Sequence, residues 1–168
     1  MQRLLGCLYR CCEMLAALFM VTIAVLILAQ TIGRQLGLVV PDANEMAGYS
    51  FAALTFLALA PTFRAGAHIR VSLLITRLPA KLRFGFELWA LTAGLGLVLY
   101  ATWWIIDLAI GSFRYHDVSP GVVAFPLWIP QAAMAFGLIV MSLCLLETLI
   151  GTWRGILPST PHGGEQSE

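Results

Sequence analysis

The amino-acid sequence predicts an all-α integral membrane protein with four transmembrane helices and both termini in the cytoplasm. Of its 168 residues, 60% are hydrophobic and only 11% are charged, which is too little polar surface to cover a soluble domain. Four uncharged stretches have the length of about 20 residues that a helix needs to cross a bilayer. Between the second and third of them, the sequence predicts a cytoplasmic amphipathic interfacial helix.

The uncharged stretches place the four spans at about 14–33, 46–63, 87–107 and 128–149. The fourth begins near Trp128, because Pro126 and Pro130 suit the start of a helix better than its middle. A secretory signal peptide is the alternative for the first stretch, since Arg3 and Arg10 precede it. Its apolar core is longer than that of a signal peptide and no clear cleavage site closes it, so we expect this helix to be retained.

Basic residues are distributed unevenly between the two ends of the predicted helices. Eight of the ten Lys and Arg residues lie in the N-terminal segment, in residues 64–83 and in the C-terminal segment. Only Arg34 and Arg114 lie in the other two loops. Because cytoplasmic loops carry an excess of Lys and Arg, this asymmetry predicts cytoplasmic termini and external loops at 34–45 and 107–127.

Residues 67–83 have the pattern of an amphipathic helix that lies on the cytoplasmic membrane surface. Apolar residues recur at intervals of three and four, and basic residues project from the opposite side. The apolar set is Val71, Leu74, Ile75, Leu78 and Leu82, and the basic set is Arg70, Arg77 and Lys81. Such a helix is held by anionic lipid, and Pro79 is expected to interrupt it before the third span.

Ionisable side chains in the middle of a span mark ion pathways, proton relays and substrate sites. In this sequence the charged residues of the spans fall at or near their ends, as Glu13, Glu87 and Glu147 do. We therefore expect that the chain transports nothing alone and that it is not an enzyme.

The histidines and cysteines of the sequence are poorly arranged to bind a haem or a metal ion. His68 and His116 are predicted on opposite sides of the membrane, roughly 30 Å apart at 1.5 Å per residue, which is too far to share a haem or another metal. The four cysteines form no C-x-x-C motif. We expect no catalytic residue, cofactor, metal or nucleic-acid partner, and we interpret the cysteines as small apolar packing residues.

Two external segments and several small residues predict features of local structure: a helix cap, a stiff loop and close contacts between helices. In VPDANEMAGYS, Asp42 precedes Glu45 by three residues, which is the spacing of a capping box at the start of the second helix. In SPGVVAFPLWIP, the Pro120-Gly121 turn predicts a stiff loop, and Trp128 is expected at the membrane interface. Small residues let helices approach closely in lipid. Those on the helix faces are Gly48, Ala52, Ala53, Gly94, Gly96, Ala133 and Gly137.

Taken in order, these motifs resemble the small membrane subunit of tripartite ATP-independent periplasmic (TRAP) transporters, the DctQ-like family. The resemblance rests on a glutamate that opens the second helix, RAGAHIRVSLL in the cytoplasmic turn, the LP that follows, and PLWIP before the last span. The matching positions are Glu45, Arg64, Gly66, His68, Ile69, Val71, Pro79, Pro126, Trp128 and Pro130. Length, four spans and cytoplasmic termini also agree, so the resemblance covers nearly the whole chain.

The resemblance implies a small permease subunit in the bacterial inner membrane. Its partners would be the large (M) permease subunit, which moves an organic acid with sodium by an elevator motion, and the periplasmic substrate-binding (P) protein. The small subunit would scaffold the static part of the large one and help to dock the loaded binding protein. The substrate itself would be selected by the other two proteins.

Two sets of residues are the candidates for these contacts. The cytoplasmic set, for lipid or the large subunit, is Arg64, Gly66, His68, Arg70, Arg77 and Lys81. The external set, for the binding protein, is Arg34, Asp42, Glu45, Arg114, His116, Asp117 and Trp128. Three alternatives stay open: a membrane-anchor subunit of a respiratory or other membrane complex, a small autonomous transporter, and an unrelated tetraspan membrane protein. Residues 1–157 are predicted to form the membrane domain, and 158–168 a disordered tail.

Overall fold

Four long helices make up the computed structural model, which describes residues 2–38, 41–65 and 80–154. Their bounds are α1 Gln2–Gln35, α2 Ala43–Arg64, α3 Ala80–Tyr115 and α4 Trp128–Trp153. Each is long and apolar enough to cross a membrane. The predicted all-helical fold with four membrane-spanning helices is confirmed, and each predicted span lies within one of these helices.

Two of the helices are longer than a bilayer is thick. The 34 residues of α1 and the 36 residues of α3 correspond to about 51 and 54 Å at 1.5 Å per residue, against about 40–45 Å for a bilayer with its head groups. α3 begins directly after Pro79 and continues past Asp107 to Tyr115. Residues 80–83, the last four of the predicted amphipathic helix, form its first turn, and the rest of that prediction lies outside the described residues.

The helices pack as a layer in the order α1, α2, α4, α3. α1 and α2 form one antiparallel hairpin, α3 and α4 form a second, and the two hairpins meet where α2 and α4 run side by side in the same direction. We call the end where α1 begins and α4 ends the terminus end, and the opposite end the loop end. In their apolar windows, 39% of α4 and 22% of α2 are buried, against 11% of α1 and 6% of α3. The inner pair therefore supplies most of the core, and α1 and α3 are edges.

The main core cluster lies in the half of the layer nearer the terminus end. Its largest fully buried side chains are Leu57, Val140 and Cys12, which come from α2, α4 and α1 respectively. Cys144 of α4 is also buried in this cluster, whereas Cys7 and Cys11 are exposed on α1. Two of the four cysteines are thus placed as small packing residues, as the sequence predicts for all of them.

The backbones of α2 and α4 come into direct contact at Gly137. A Cβ atom added to Gly137 would lie 2.5 Å from the carbonyl carbon and oxygen of Phe56, so only glycine fits there. The predicted role of this small residue in close packing is confirmed. By contrast, a Cβ atom at Gly48, Gly94 or Gly96 would meet no neighbouring atom of the described chain within 4 Å.

Most Ser and Thr hydroxyl groups in the described helices donate a hydrogen bond within their own helix. In ten places a Ser or Thr hydroxyl donates to the carbonyl oxygen four residues earlier, as Thr102 does to Val98 at 2.7 Å and Ser142 does to Leu138 at 2.9 Å. Because lipid offers no hydrogen-bond partner, this arrangement lets polar side chains stand in a membrane span at low cost.

The contact at Gly137 predicts opposite outcomes for two glycine substitutions. Gly137→Ala pushes a methyl group into the Phe56 backbone and should lower the free energy of unfolding by about 1–3 kcal/mol. Gly48→Ala, in a helix and with open space around it, is the matched control and should be neutral or stabilising by up to about 1 kcal/mol. Thermal unfolding of both variants in detergent measures the difference. Equal stability of the two would contradict the direct contact between α2 and α4.

Candidate functional site

The connection between α3 and α4, residues 116–127, is an ordered loop that folds over the loop end of α2. Its two arms pair through an isolated antiparallel bridge between Val118 and Pro126. The amide of Ser119 donates to the carbonyl oxygen of Phe125 at 2.8 Å, and the amide of Leu127 donates to that of Asp117 at 3.1 Å. We call this segment the α3–α4 loop. Its shape agrees with the stiffness that the Pro120-Gly121 turn predicts.

Glu45 in the first turn of α2 holds one arm of the α3–α4 loop. The buried hydroxyl of Ser119 donates to Oε2 of Glu45 at 2.6 Å, across 74 positions of sequence. The same hydroxyl oxygen accepts a hydrogen bond from the amide of Gly121 at 3.2 Å. A hydrogen bond to a carboxylate is stronger than a neutral one, so this contact fixes the loop to α2.

Asp42 holds the tip of the same loop, because its carboxylate accepts a hydrogen bond from the amide of Val123. A Cβ atom at Gly121 would lie 2.6 Å from the Asp42 carboxyl carbon, so glycine is required for the tip to come this close. Stacking of Tyr49 on Phe125, with ring centroids 6.0 Å apart, adds an aromatic contact. α2 and the α3–α4 loop therefore form one surface at the loop end.

The prediction of a capping box at Asp42 and Glu45 is wrong. Asp42 precedes α2 but has a left-handed backbone, with φ 55° and ψ 14°, and it makes no side-chain capping bond. An N-cap side chain that bonds the first turn normally has an extended backbone, which Asp42 lacks. Both carboxylates are turned to the α3–α4 loop instead, a contact that sequence spacing alone could not reveal.

The other predicted external residues lie around this surface with their side chains available. Arg34, Arg114, His116 and Asp117 are exposed. Trp128, at the start of α4, packs edge-on against Phe113 with ring centroids 5.6 Å apart and is 37% exposed.

At the terminus end, Arg64 is the predicted contact residue whose side chain the structure describes. Its guanidinium carbon lies 4.9 Å above the centre of the Tyr9 ring, a cation–π contact between α2 and α1. The Tyr9 hydroxyl donates to Oε2 of Glu147 on α4 at 3.3 Å. We call Tyr9, Arg64 and Glu147 the Tyr9 cluster, since it joins three helices at one point.

The remaining members of the predicted cytoplasmic set are not placed. Gly66, His68, Arg70 and Arg77 lie outside the described residues, and Lys81 belongs to the first turn of α3 without a described side chain.

Sequence reasoning missed Tyr9, Glu147 and Ser119. A lone tyrosine near a helix end gives no signal of its partners, whereas the Ser-Pro-Gly run gave a signal for a turn.

No group of three or more His, Cys, Asp or Glu residues that could hold a metal ion occurs among residues 2–38, 41–65 and 80–154. The surfaces that stand out are instead the ordered loop end, the Tyr9 cluster and the long apolar flanks of α1 and α3. With its four membrane-length helices, the chain is a polytopic helical membrane protein, and these surfaces are the parts of it that a partner could reach.

Comparison with known proteins gives the family. Residues 23–155 match the family described as tripartite ATP-independent periplasmic transporters, DctQ component. The chain therefore belongs to the DctQ family, which confirms the resemblance inferred from its motifs. DctQ is a family of transporter components and not of enzymes.

A curated relative is also similar over most of the chain. It is the isethionate TRAP transporter permease protein DctMQ of Oleidesulfovibrio alaskensis, which is 29% identical over an alignment of 150 residues, and the alignment covers 84% of this chain. The chain spans only 22% of the length of that relative.

The carboxylates of Asp42 and Glu45 give a testable prediction about the α3–α4 loop. Asp42→Ala and Glu45→Ala each remove a charged hydrogen-bond acceptor, a loss of roughly 1.5–3 kcal/mol. Backbone amides of residues 117–127 should then exchange hydrogen at least about tenfold faster, since about 1.4 kcal/mol corresponds to one factor of ten. Hydrogen exchange followed by mass spectrometry in detergent measures this.

Asp107→Ala is the control for this prediction, because Asp107 is an exposed carboxylate on α3. It should leave the exchange rates of residues 117–127 unchanged. Unchanged rates in all three variants would show that the carboxylates do not hold the loop.

Proposed function

We propose that this protein is the small permease subunit of a TRAP transporter in the bacterial inner membrane. The observation that carries the proposal is the DctQ family match over residues 23–155, which includes all of α2, α3 and α4 and the last part of α1. In this role the chain scaffolds the large permease subunit and helps to dock the periplasmic substrate-binding protein. The large subunit moves the substrate.

The distribution of charge supports a scaffold over an autonomous carrier. In the described helices, α2 carries charges only at Glu45 and Arg64, near its two ends, and α4 carries only Glu147, near its last turns. A substrate path through a membrane normally needs polar or ionisable groups at mid-depth. The inner helix pair of this chain is instead packed with small and apolar side chains, as a rigid support requires.

The relative supports assembly with a larger permease component. In the isethionate permease DctMQ, the region similar to this chain is part of a much longer protein. We propose that here the corresponding large subunit is a separate partner. By the family resemblance, the substrate class is an organic acid and the coupling ion is sodium. Isethionate, a small organic anion, is the first compound to test.

Two surfaces of the chain take distinct parts in this proposal. Exposed Arg34, Arg114, His116 and Asp117 form the docking surface for the binding protein, while Asp42 and Glu45 hold the α3–α4 loop in shape beside them. The predicted cytoplasmic set contacts lipid head groups or the large subunit: Arg64, Gly66, His68, Arg70, Arg77 and Lys81.

Transport by the reconstituted system tests the proposed function. The binding protein is first screened by thermal shift against small organic acids, starting with isethionate. Uptake of the acid that it binds is then measured in liposomes containing this chain and the large subunit, with the binding protein outside. We expect uptake to require all three proteins and an inward sodium gradient. Equal uptake without this chain would contradict the proposal, and sodium-independent uptake would contradict only the coupling.

Membrane orientation is a separate prediction from the excess of basic residues at the terminus end. A green fluorescent protein fused after residue 168 should fluoresce, because we expect the C-terminus in the cytoplasm. Alkaline phosphatase inserted between residues 121 and 122 should be active, since this enzyme folds only outside the cytoplasm. The reverse pattern would place the termini in the periplasm.

A further inference from the structure

Charged residues mark where three of the helices leave the hydrocarbon of the bilayer. α1, α2 and α3 each have one uncharged stretch of 18–20 residues with a charged residue at either end. A charge within the hydrocarbon is costly, so these bounding residues are expected at or near the two membrane surfaces. They are Glu13 and Arg34 of α1, Glu45 and Arg64 of α2, and Glu87 and Asp107 of α3.

Contacts between neighbouring helices show which residues lie at the same height in the layer, and we call such residues level. Because an α-helix rises 1.5 Å per residue, a few level pairs fix the relative heights of all other residues. The level pairs are Tyr9 with Arg64, Phe56 with Gly137, and Phe113 with Trp128. The register of the last pair also places Leu95 beside Leu146, and these two residues line one cavity.

At the terminus end, the bounding residues lie at different heights on the three helices. Glu13 follows Tyr9 by four residues, so it lies about 6 Å nearer the loop end than Arg64 does. Glu87 is level with position 154 of α4, which places it about 14 Å beyond Arg64 in the opposite direction. From α1 to α3, this boundary therefore shifts by about 20 Å toward the terminus end.

At the loop end, the bounding residues shift by the same amount in the same direction. Arg34 lies about 9 Å beyond the height of Glu45. Asp107 is level with position 134 of α4 and hence with Ala53, about 12 Å below Glu45. The shift from α1 to α3 is about 21 Å toward the terminus end. The two boundaries are thus parallel to each other and oblique to the helices.

A bilayer perpendicular to the helices would not fit these charges. Asp107 is exposed on α3 and is level with the middle of the uncharged stretch of α2, so its side chain would face hydrocarbon at mid-depth. Glu13, which is exposed on α1, would lie about one helical turn inside the height of Arg64. An oblique bilayer brings both carboxylates to a membrane surface at once.

The tryptophans of α3 support the same orientation. Trp89 follows Glu87 by two residues, and Trp104 precedes Asp107 by three, so both lie at the ends of the uncharged stretch. Tryptophan is enriched at membrane interfaces because its ring has an apolar body and a polar N–H group. Trp103 and Trp104 are 74% and 54% exposed and level with the middle of α2. A perpendicular bilayer would place them at its centre, whereas an oblique one places them at an interface.

We propose that the bilayer contacts this protein along an oblique belt, with the helices tilted by about 35–40° in the plane of the layer. The angle follows from a shift of about 20 Å over three helix spacings of about 9 Å each. It lies within the range of transmembrane helix tilts, about 0–40°. This orientation is independent of the proposed function, since it follows from charges and contacts within one chain.

The lengths of the edge helices agree with such a tilt. A helix tilted by about 37° needs roughly 25 residues to cross about 30 Å of hydrocarbon, and α1 and α3 have 34 and 36. The charged residues that bound the shorter uncharged stretches reach the head groups by extending along the helix. Different parts of the chain then leave the bilayer on the two sides of the layer. At the terminus end it is the first turns of α1, and at the loop end it is residues 108–115 of α3 with the α3–α4 loop.

The depths of spin labels on the two edge helices test the orientation. Cys7→Ser and Cys11→Ser remove the two exposed cysteines, and the buried Cys12 and Cys144 should not react with a nitroxide reagent. Two pairs of exposed, level positions are then labelled one position at a time. The pairs are Cys11 with Leu97, where Cys11 is kept in the Cys7→Ser background, and Val21→Cys with Leu108→Cys.

The labelled chains are reconstituted in liposomes of phosphatidylethanolamine and phosphatidylglycerol. Electron paramagnetic resonance then compares collisions of each label with oxygen, which concentrates in the hydrocarbon, and with a water-soluble nickel chelate. We expect Leu97 and Val21 deep in the hydrocarbon and Cys11 and Leu108 in contact with water. The two members of each pair should differ in depth by about 16 Å, the tilt acting over the width of the layer.

Equal depths within each pair would overturn the inference, because level residues share one depth in a bilayer perpendicular to the helices. A deeper position for Leu108 than for Leu97 would also overturn it and would place Asp107 inside the membrane. A distance measurement between labels at Cys11 and Leu97 checks that the two are level in the bilayer. We expect about 27 Å between the backbones, while about 34 Å would show that the helices have slid and would contradict the tilt.

Discussion

A pair of helices whose backbones touch needs a residue without a side chain at the contact, and Gly137 of α4 meets the Phe56 backbone of α2 in this way. In lipid the exclusion of water does not drive helices together, so close van der Waals packing supplies much of the association energy. Both other helices depend on this pair, because α1 packs on α2 and α3 packs on α4. Separation of α2 from α4 would divide the protein into two hairpins.

Polar interactions complete the layer at its two ends and not in its middle. Asp42 and Glu45 order the α3–α4 loop at one end, and the Tyr9 cluster joins α1, α2 and α4 at the other. Ordering a loop costs conformational entropy, which hydrogen bonds to fixed carboxylates can offset. The result is an ordered surface at each end of the helix layer.

The two hairpins have the same topology but different surfaces. The α3–α4 hairpin carries all five tryptophans of the chain, whereas the large exposed apolar side chains of α1 are aliphatic or thioether.

The sequence alone determined the four helices and the family. Uncharged runs of membrane length, bounded by charged residues, allow few structures other than helices, because the backbone must satisfy its own hydrogen bonds in lipid. The order of short motifs around Glu45, Arg64 and Trp128 was sufficient to identify the DctQ family. Both signals are local, and they depend on residue type and spacing.

The tertiary structure decided which residues meet. Asp42 and Glu45 have the spacing of a cap, but their carboxylates accept hydrogen bonds from Val123 and Ser119, 81 and 74 positions later in the chain. The left-handed backbone of Asp42 also differs from that of a capping residue. Among the glycines, only the packing order of the helices distinguished Gly137, which is in contact, from Gly48, Gly94 and Gly96, which are open. These outcomes depend on contacts between segments far apart in the chain, and spacing along one helix carries no information about them.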